Sequence, residues 1–396
     1  MKGVHDVRFH PLFLALALIP ATAHAQAQCG GDFGAWKAAV EKDAASAGVG
    51  QRGIQALEQA TFNPEVVRRD HAQGVFTQTF IEFSTRMESA YRLKHGEINL
   101  KKYASVFQRA EQQYGVPGPV IAAFWGLETD FGAVQGNFST LDALATLAHD
   151  CRRPDLFRPQ LIALLKLIDN GTVPADVRGA WAGEIGQTQM LPKDYLAQGV
   201  DGDGDGRVDL RGSAPDVIMT TAHFLQSLGW KAGEPWMEEV RVPDNLPWEQ
   251  TGRENRLPIS QWASWGVTDR NGGALDETKS PASLVLPMGR KGPAFLVFDN
   301  YDVYLKWNQS FVYTLTAAHL ATRFAGAPAY DRRNPDPGLS PAEMRDLQLK
   351  LDANGHDVGK VDGVLGSGTR EAVRAMQKQL GLPVDGWPTR KLLDMM

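Results

Sequence analysis

A polar, proline-rich segment without hydrophobic periodicity divides this chain near its C-terminal end. It covers residues 326–339 and contains the run Asn334-Pro335-Asp336-Pro337-Gly338. Proline fixes its own backbone and lacks an amide donor, so such a segment favours a linker over a helix or a strand. The linker therefore predicts two folding units, a long one over residues 26–325 and a short one over residues 340–396.

The long unit has the hydrophobic spacing of a mostly helical fold. Helical spacing of apolar side chains is found over residues 33–114, 120–130, 141–148 and 311–323. Residues 283–287 and 294–298 are short apolar runs joined by a glycine-containing turn, which is typical of a pair of strands. The expected fold class is mainly α (α+β), a helical domain with a small β insertion.

The first 25 residues have the pattern of a secretory signal. Basic residues precede an apolar run over residues 12–19, and Ala23-His24-Ala25 fits a small-x-small cleavage site. We expect a signal peptide over residues 1–25 and a periplasmic mature chain. The alternative is an uncleaved anchor, which the run disfavours because a span needs about 20 apolar residues. No other segment predicts a transmembrane helix in the mature chain.

Cys29 and Cys151 are the only cysteines of the chain. In an oxidising compartment an even pair is expected to form a disulfide. This bond would tie the start of the mature chain to the body of the long unit. Two free thiols are the alternative, and neither cysteine lies in a pattern typical of a catalytic nucleophile.

Composition and charge argue against several classes of function. Hydrophobic residues make up 43% of the chain, enough for a sizeable core. The net charge of -5 argues against a general nucleic-acid-binding protein, which would usually be basic. The nine histidines include no His-Glu-x-x-His pair, so zinc hydrolase chemistry is not expected.

Glu128 is the most distinctive polar residue of the long unit. Ile121, Phe124 and Trp125 precede it on the same helical face, so its carboxyl is expected on an apolar surface near a helix C-terminus. Desolvation and the negative end of the helix dipole both favour the protonated form. A general acid acting on a glycosidic oxygen requires this form. The alternative is an amphipathic helix whose glutamate reaches solvent or caps a neighbour.

Several separated motifs carry a family resemblance. They are Phe124-Trp125-Gly126-Leu127-Glu128-Thr129-Asp130-Phe131-Gly132, then Leu141-Asp142-Ala143-Leu144-Ala145-Thr146-Leu147-Ala148, then Cys151-Arg152-Arg153-Pro154, and Gly183-Glu184-Ile185-Gly186-Gln187-Thr188-Gln189-Met190-Leu191-Pro192. In this order they resemble the membrane-bound lytic murein transglycosylase B family, of the glycoside hydrolase family 103 type. The resemblance implies a lysozyme-like catalytic domain. It also implies cleavage of the β-1,4 bond between N-acetylmuramic acid and N-acetylglucosamine without water, leaving a 1,6-anhydro-muramyl end.

The resemblance implies that Glu128 is the sole catalytic acid and base. It would protonate the leaving oxygen and then deprotonate the muramyl O6 hydroxyl, with the substrate's acetamido group assisting in place of a protein nucleophile. Asp130 is two positions further along and is expected to point elsewhere. No second carboxylate therefore shares the face of this motif, whereas ordinary glycosidases use two carboxylates. No cofactor is expected for the chemistry.

Other candidate site residues match the family one at a time. Gln189 matches a glutamine that contacts substrate near the acid, and Asn308 and Tyr313 match two residues of the active-site groove. A helix cap and a core aromatic are the alternatives for these two. Ala180 stands where the family commonly has a serine that hydrogen-bonds the acid. This departure leaves open which group contacts Glu128 instead.

An aspartate- and glycine-rich stretch fits the first nine positions of an EF-hand calcium loop. The expected ligands are Asp201, Asp203, Asp205, the carbonyl of Arg207, Asp209 directly or through water, and Asp216. Asp216 would replace the glutamate usual at position twelve, where this chain has Gly212. The hypothesis is a structural Ca²⁺ that stabilises the loop, and the alternative is a turn without an ion.

The short unit contains a weak internal repeat. Gly359-Lys360-Val361-Asp362-Gly363 is followed by the similar Leu382-Pro383-Val384-Asp385-Gly386. A threonine that is expected to open a helix, Thr369 or Thr389, comes shortly after each. The unit resembles the peptidoglycan-binding domain 1 family. That resemblance implies a three-helix module that holds the enzyme on murein. The alternative is a packing appendage without a binding role.

Two other functions remain open from the sequence. A hydrolytic muramidase would use water in place of O6, and a non-catalytic murein-binding scaffold would need no working acid. Peptidoglycan glycan strands are the expected partner in each case. Proteins of cell-wall synthesis or of the divisome are further candidate partners, and nucleic acid is not expected.

Overall fold

The computed structural model describes residues 29–72 and 77–396. The expected signal peptide, residues 1–25, lies outside this described part. Within it the chain is mainly helical with two small sheets, which confirms the expected fold class. Among the described helices, none combines the length and the apolar character that a membrane span requires.

The helices of the long unit over residues 33–129, 140–149 and 311–324 lie where helical spacing was predicted, whereas those over residues 154–198 and 259–307 were not predicted. The helices of this unit are α1 (Phe33–Ser46), α2 (Gln51–Gln59), α3 (Pro64–His71), α4 (Phe80–Met87), α5 (Ala90–Lys102), α6 (Ala104–Tyr114), α7 (Gly118–Thr129), α8 (Thr140–His149), α9 (Pro154–Asp169), α10 (Pro192–Gln198), α11 (Ala214–Ser227), α12 (Ile259–Ser264), α13 (Asp299–Trp307) and α14 (Phe311–Phe324). The residues of α7 are buried except for Pro119 and Glu128. A helix that is apolar on all sides must lie inside the fold, and α7 packs between α5, α6, α11 and α14.

The β insertion is a five-stranded antiparallel sheet. Its strands are β3 (Met237–Arg241), β4 (Arg256–Leu257), β5 (Thr268–Asp269), β6 (Ala282–Val285) and β7 (Phe295–Val297), in the order β4-β6-β7-β3-β5. The two predicted strands are β6 and β7, and Ser283 lies opposite Val297. Phe295 packs into the main core and Leu296 into a second core on the other face. The sheet is therefore covered on both sides.

A short two-stranded sheet follows α7. Its strands are β1 (Phe138–Ser139) and β2 (Arg178–Gly179), with Phe138 opposite Gly179. A Cβ atom on Gly179 would lie 2.0 Å from the carbonyl oxygen of Glu184. Only glycine fits this close approach, which folds the segment after β2 back onto the end of that strand.

The predicted disulfide between Cys29 and Cys151 is present. Next to it the Gly30 amide donates to the His149 carbonyl at 2.8 Å. Buried Asp70 pairs with Arg152, at 2.7 Å, and with Arg153, both directly after Cys151. The start of the described chain is thus fixed to the segment between α8 and α9.

The short unit contains three helices, as predicted: α15 (Pro341–Ala353), α16 (Ser367–Gln379) and α17 (Arg390–Asp394). The structure explains its internal repeat. In the first copy the Gly363 amide donates to the side-chain oxygen of buried Gln348 at 2.8 Å. In the second copy the Gly386 amide donates to that of Gln377 at 2.9 Å. Each glycine turn is therefore held by a glutamine of the preceding helix.

The linker over residues 326–339 has no helix or strand, but it packs against the long unit. The hydroxyls of Tyr330 and Ser84 are 2.7 Å apart, and the Asn334 amide donates to the Lys291 carbonyl at 3.1 Å. At its end the Trp387 indole donates to the Asp336 carbonyl at 2.9 Å. The linker therefore fixes the position of the short unit instead of spanning open solvent.

Arg370 of α16 anchors the short unit on the long one. Its guanidinium lies over the rings of Phe311, at 5.0 Å, and Trp387, at 5.9 Å. It also donates to the Pro287 carbonyl at 2.8 Å. Phe311 is the first residue of α14, so the short unit contacts a helix of the main core.

We expect Arg370→Ala to loosen this docking by about 1–3 kcal/mol, because it leaves a buried carbonyl without its donor. The readout is the rate of tryptic cleavage after Arg332 or Arg333 in the linker, which should rise. Arg390→Ala is the matched control, because Arg390 only pairs with Glu343 and Asp394 within the short unit. An unchanged cleavage rate in Arg370→Ala would contradict the docking role.

Candidate active site

The C-terminal end of α7 is held in place by Arg92 of α5. Its guanidinium donates to the Gly126 carbonyl at 3.0 Å and pairs with Asp130 at 2.7 Å. Asp130 caps the helix in a left-handed conformation, with φ of 52°. The end of a helix leaves carbonyls without partners, and Arg92 satisfies one of them. Glu128, in the last turn, is therefore on a fixed piece of backbone.

Glu128 is partly exposed, and one of its carboxyl oxygens accepts two hydrogen bonds. The Tyr313 hydroxyl donates to Oε1 at 2.5 Å, and the Trp307 indole donates to the same oxygen at 2.9 Å. Oε2 has no hydrogen-bond partner among the described residues. One oxygen is thus held by the protein while the other remains available to a ligand.

Burial raises the pKa of Glu128 above its ordinary value, whereas the hydrogen bonds from Tyr313 and Trp307 lower it. The desolvation effect is the larger one. The carboxyl is therefore biased toward its protonated form, although the hydrogen bonds from Tyr313 and Trp307 would stabilise the carboxylate. A group that first gives and then takes a proton requires this combination.

Trp307 and Tyr313 flank the turn between α13 and α14. The Trp307 ring packs on Phe124 of α7, with ring centroids 4.4 Å apart. Asn308 lies between them, and its side-chain oxygen accepts from the Ser310 amide at 2.9 Å. Its carbonyl accepts from the Thr314 hydroxyl at 2.8 Å. The structure thus brings Tyr313 to Glu128, while the described contacts of Asn308 hold the turn.

Gln189 lies in a tight loop beside α7. Ile185 and Met190 pair across this loop, and Gln189 at its tip has φ of 51°. The side-chain amide of Gln189 donates to the Gly186 carbonyl at 2.8 Å and not to Glu128. Gln187, which the sequence did not single out, accepts from the Trp125 indole at 2.9 Å. These contacts fix the loop against the helix that carries Glu128.

Glu184 is a second carboxyl near Glu128. Burial raises the pKa of Glu184, and so does the negative charge of Glu128, whereas the amides of Glu184 and Ala182 and the charge of Arg153 lower it. Its Oε2 is buried without a hydrogen-bond partner among the described residues. Ala180, the departure from the expected serine, offers only a methyl group, and its amide donates to the Glu184 carbonyl at 3.0 Å.

Sequence reasoning missed Glu184, Trp307 and Arg92. Glu184 and Trp307 stand inside or next to quoted motifs, but nothing in their local spacing indicates that they approach Glu128. Arg92 lies in an ordinary amphipathic helix. A buried carboxyl predicts that some donors exist, yet it does not predict which distant segments supply them.

The aspartate-rich loop brings together three of its predicted ligands. Carboxylate oxygens of Asp201, Asp203 and Asp205 lie within 4.8 Å of one another. Asp216 is not part of this group. Its two oxygens accept from the amides of Gly202, at 2.8 Å, and Asp209, at 2.6 Å.

Asp209 and Arg207 also make local contacts in this loop. The Asp209 carboxylate accepts from the amides of Arg211 and Gly212, both at 2.9 Å. The Arg207 amide donates to the Asp205 carboxylate at 2.8 Å. The Asp201 carboxylate likewise accepts from the amides of Gly204, Asp205 and Gly206. The trio is therefore set apart by the closeness of its oxygens, which is what a shared cation requires.

Comparison with known families gives two matches that follow the two units. A family described as "Transglycosylase SLT domain" matches residues 32–322. A peptidoglycan binding domain family matches residues 340–396. Together they cover most of the described chain.

A curated relative and two solved structures are similar to this chain. Membrane-bound lytic murein transglycosylase B of Escherichia coli is 29% identical over 235 residues, which are 59% of this chain and 64% of that protein. The chain thus spans less than two thirds of that relative. SltB3 of Pseudomonas aeruginosa in complex with NAG-anhNAM-pentapeptide has 38% identity and a TM-score of 0.86, over 92% of this chain and 99% of that one.

The second structure is Slt35 of Escherichia coli in complex with calcium. It has 26% identity and a TM-score of 0.64, over 76% of this chain and 96% of that one. The two structural matches confirm the expected fold.

We expect Tyr313→Phe to raise the pKa of Glu128, because the lost hydroxyl favours the carboxylate. Glu128 should then lose its proton at higher pH than in the wild type. The measurement is an infrared titration of protonated carboxyl groups, with Glu128→Gln identifying the signal. Tyr304→Phe is the matched control, since the buried Tyr304 hydroxyl has no hydrogen-bond partner in the described structure. A titration of Glu128 that is the same in Tyr313→Phe and wild type would contradict the assignment.

Proposed function

The chain belongs to the transglycosylase SLT domain family, and on that premise we propose that it is a lytic transglycosylase that cleaves the β-1,4 MurNAc-GlcNAc bond of peptidoglycan. The observation that carries the proposal is the state of Glu128. It is a carboxyl biased toward protonation by burial, with one oxygen held by Tyr313 and Trp307. A general acid for a glycosidic oxygen needs these properties.

In the proposed first step Glu128 gives its proton to the glycosidic oxygen, and the bond from that oxygen to the muramyl C1 breaks. The carbonyl oxygen of the substrate's own acetamido group bonds to C1 and compensates the positive charge. Glu128 is now a carboxylate, and the donors Tyr313 and Trp307 stabilise it. Hydrogen bonds to a charged group are the stronger ones, so their contribution grows as the proton leaves.

In the second step the Glu128 carboxylate takes the proton of the muramyl O6 hydroxyl. O6 then bonds to C1, the acetamido oxygen leaves C1, and a 1,6-anhydro end forms. No water is consumed, and Glu128 regains its starting proton. The anhydro sugar bound to the SltB3 relative supports this outcome over a hydrolytic muramidase.

The short unit is proposed to hold peptidoglycan strands. Its match to the peptidoglycan binding domain family supports this role. Its docking through Arg370 on Phe311 sets it beside α14, the helix that carries Tyr313. Binding and cleavage would therefore act on one strand from neighbouring surfaces. A periplasmic location follows from this substrate, and partners from cell-wall synthesis or the divisome belong to the same proposal.

The aspartate-rich loop is proposed to bind a structural Ca²⁺. The trio Asp201, Asp203 and Asp205 offers the hard oxygen ligands that calcium prefers, and calcium is bound in the Slt35 relative. The fit supports a smaller ligand set than the one predicted from the sequence, without Asp216. The ion would neutralise three neighbouring carboxylates and stiffen the loop before α11.

The central test is the product of purified sacculi. Wild type should release muropeptides lighter by one water than those made by a hydrolase, and Glu128→Gln should release none. Mass spectrometry reads both results, and thermal unfolding checks that the variant folds. Glu58→Gln, an exposed glutamate on α2, is the control. Reducing ends from wild type would indicate a muramidase, and product from Glu128→Gln would falsify the role of this residue.

Calcium should raise the melting temperature of wild type relative to a chelator. At a concentration one hundred times the Kd, the gain is about 2.7 kcal/mol in the free energy of unfolding. Asp203→Asn should remove most of this gain because it deletes a ligand of the trio. Asp209→Asn is the control, since its carboxylate lies outside the trio. Equal responses of both variants would contradict the proposed ligand set.

A further inference from the structure

The last turn of α7 is in contact with Gln187, a buried polar residue of the tight loop beside that helix. The side-chain oxygen of Gln187 accepts from the Trp125 indole at 2.9 Å, and its carbonyl accepts from the Thr129 hydroxyl at 2.5 Å. Trp125 precedes Glu128 by three positions, and Thr129 follows it directly. Gln187 therefore contacts the helix both before and after the catalytic acid.

Gln187 is itself anchored to the segment that follows the aspartate-rich loop. Its backbone amide donates to the Leu210 carbonyl at 2.8 Å, and its side-chain amide donates to the Arg211 carbonyl at 3.0 Å. The side chain of Gln135 donates to the same Arg211 carbonyl at 3.1 Å. Because both ends of its side chain and both of its backbone polar groups are paired, Gln187 has a fixed orientation. It is a rigid link between α7 and residues 210–211.

The backbone directly after Glu128 requires support of this kind. Asp130 and Phe131 have φ of 52° and 60°, in the left-handed region that residues other than glycine rarely adopt. Such a conformation persists only where the surroundings hold it, and it is concentrated at active sites. Arg92 holds this backbone through its pair with Asp130 at 2.7 Å. Gln187 is the second support.

The contacts of Gln187 continue beyond these two residues. The Thr129 hydroxyl, which donates to the Gln187 carbonyl, also accepts from the Gly132 amide at 2.9 Å. A Cβ atom on Gly132 would lie 2.5 Å from the side-chain oxygen of Gln187, so the chain passes directly against it. The backbone is therefore held against Gln187 on both sides of the left-handed pair.

We infer that Gln187 is a positioning residue that fixes the direction in which the last turn of α7 presents Glu128 to Tyr313 and Trp307. Hydrogen bonds weaken as distance and angle depart from their narrow optimum. A displaced turn would therefore weaken both bonds to Glu128 Oε1 and turn the acid away from the glycosidic oxygen. The effect on turnover rests on the proposed function, whereas the effect on the hydrogen bonds of Glu128 does not.

The first test removes the side-chain contacts of Gln187. Gln187→Leu keeps a similar size, and its kcat on sacculi should fall about tenfold or more, because misplacing a catalytic group by about 1 Å costs about a hundredfold. KM should change little, since Gln187 is only 7% exposed. Gln160→Leu is the matched control: Gln160 is 6% exposed, and its side-chain oxygen accepts from the Lys193 amide at 2.9 Å, in contact with α10. This control should lose stability and keep its kcat.

A second pair of variants decides the question if Gln187→Leu does not fold. Thr129→Val removes one hydroxyl and keeps the shape of the side chain, and its kcat should fall in the same direction. Thr146→Val is its control, because Thr146 is a buried helical threonine whose hydroxyl accepts from the Asn63 amide at 2.9 Å. Thermal unfolding of all four variants measures how much stability each one loses.

An infrared titration of Glu128, with Glu128→Gln identifying the signal, does not depend on activity. Gln187→Leu and Thr129→Val should raise the pKa of Glu128, because the bonds from Tyr313 and Trp307 that lower it become weaker. Glu128 should then lose its proton at higher pH than in the wild type, and neither control should show this shift. A titration unchanged in both test variants overturns the inference, as does equal loss of kcat in test and control variants. Absence of anhydro product from wild type would instead count against the proposed function, and the infrared titration would then decide this inference.

Discussion

The partial burial of the Glu128 carboxyl is the constraint on which the site depends. α7 is buried along almost its whole length, and neither of the two donors to this carboxyl comes from the helix itself. A buried carboxyl without partners would be strongly destabilising. The fold supplies donors from elsewhere in the chain, and they come from the turn between α13 and α14. The position of that turn therefore sets the two hydrogen bonds that offset the burial of Glu128 and lower its pKa.

The same turn connects the site to the rest of the molecule. Tyr313 is in the first turn of α14. Phe311, at the start of that helix, packs against the guanidinium of Arg370 from the short unit. The packed linker leaves the short unit little freedom to move away. Displacement of the short unit would thus expose Phe311 and change the surroundings of a helix end that orients the Tyr313 hydroxyl. The short unit and the helix that carries Tyr313 are therefore joined by direct packing.

Much of the fold could be predicted from local patterns, but most contacts of the site could not. Helical spacing indicated α7 and placed Glu128 near its end, and the apolar runs indicated β6 and β7. β3 was missed because its sequence, Met237-Glu238-Glu239-Val240-Arg241, is mostly charged. The packed linker was missed because one aromatic residue, Tyr330, gives no periodic signal. Asp216 matched a ligand position in sequence, but at the start of α11 its carboxylate lies outside the group formed by Asp201, Asp203 and Asp205.

Ala180 stands where a serine was expected to hydrogen-bond Glu128, and its effect depends on the balance between two opposed influences on the pKa of this carboxyl. Burial favours the proton on Glu128, and the donors Tyr313 and Trp307 favour its loss. A single residue that acts as acid and then as base works best when neither effect dominates, because each step reverses the charge made in the other. A hydroxyl at position 180 would favour the carboxylate at every stage. With Ala180 at that position, Tyr313 and Trp307 are the side-chain donors to Glu128 among the described residues, and burial remains the larger effect on its pKa.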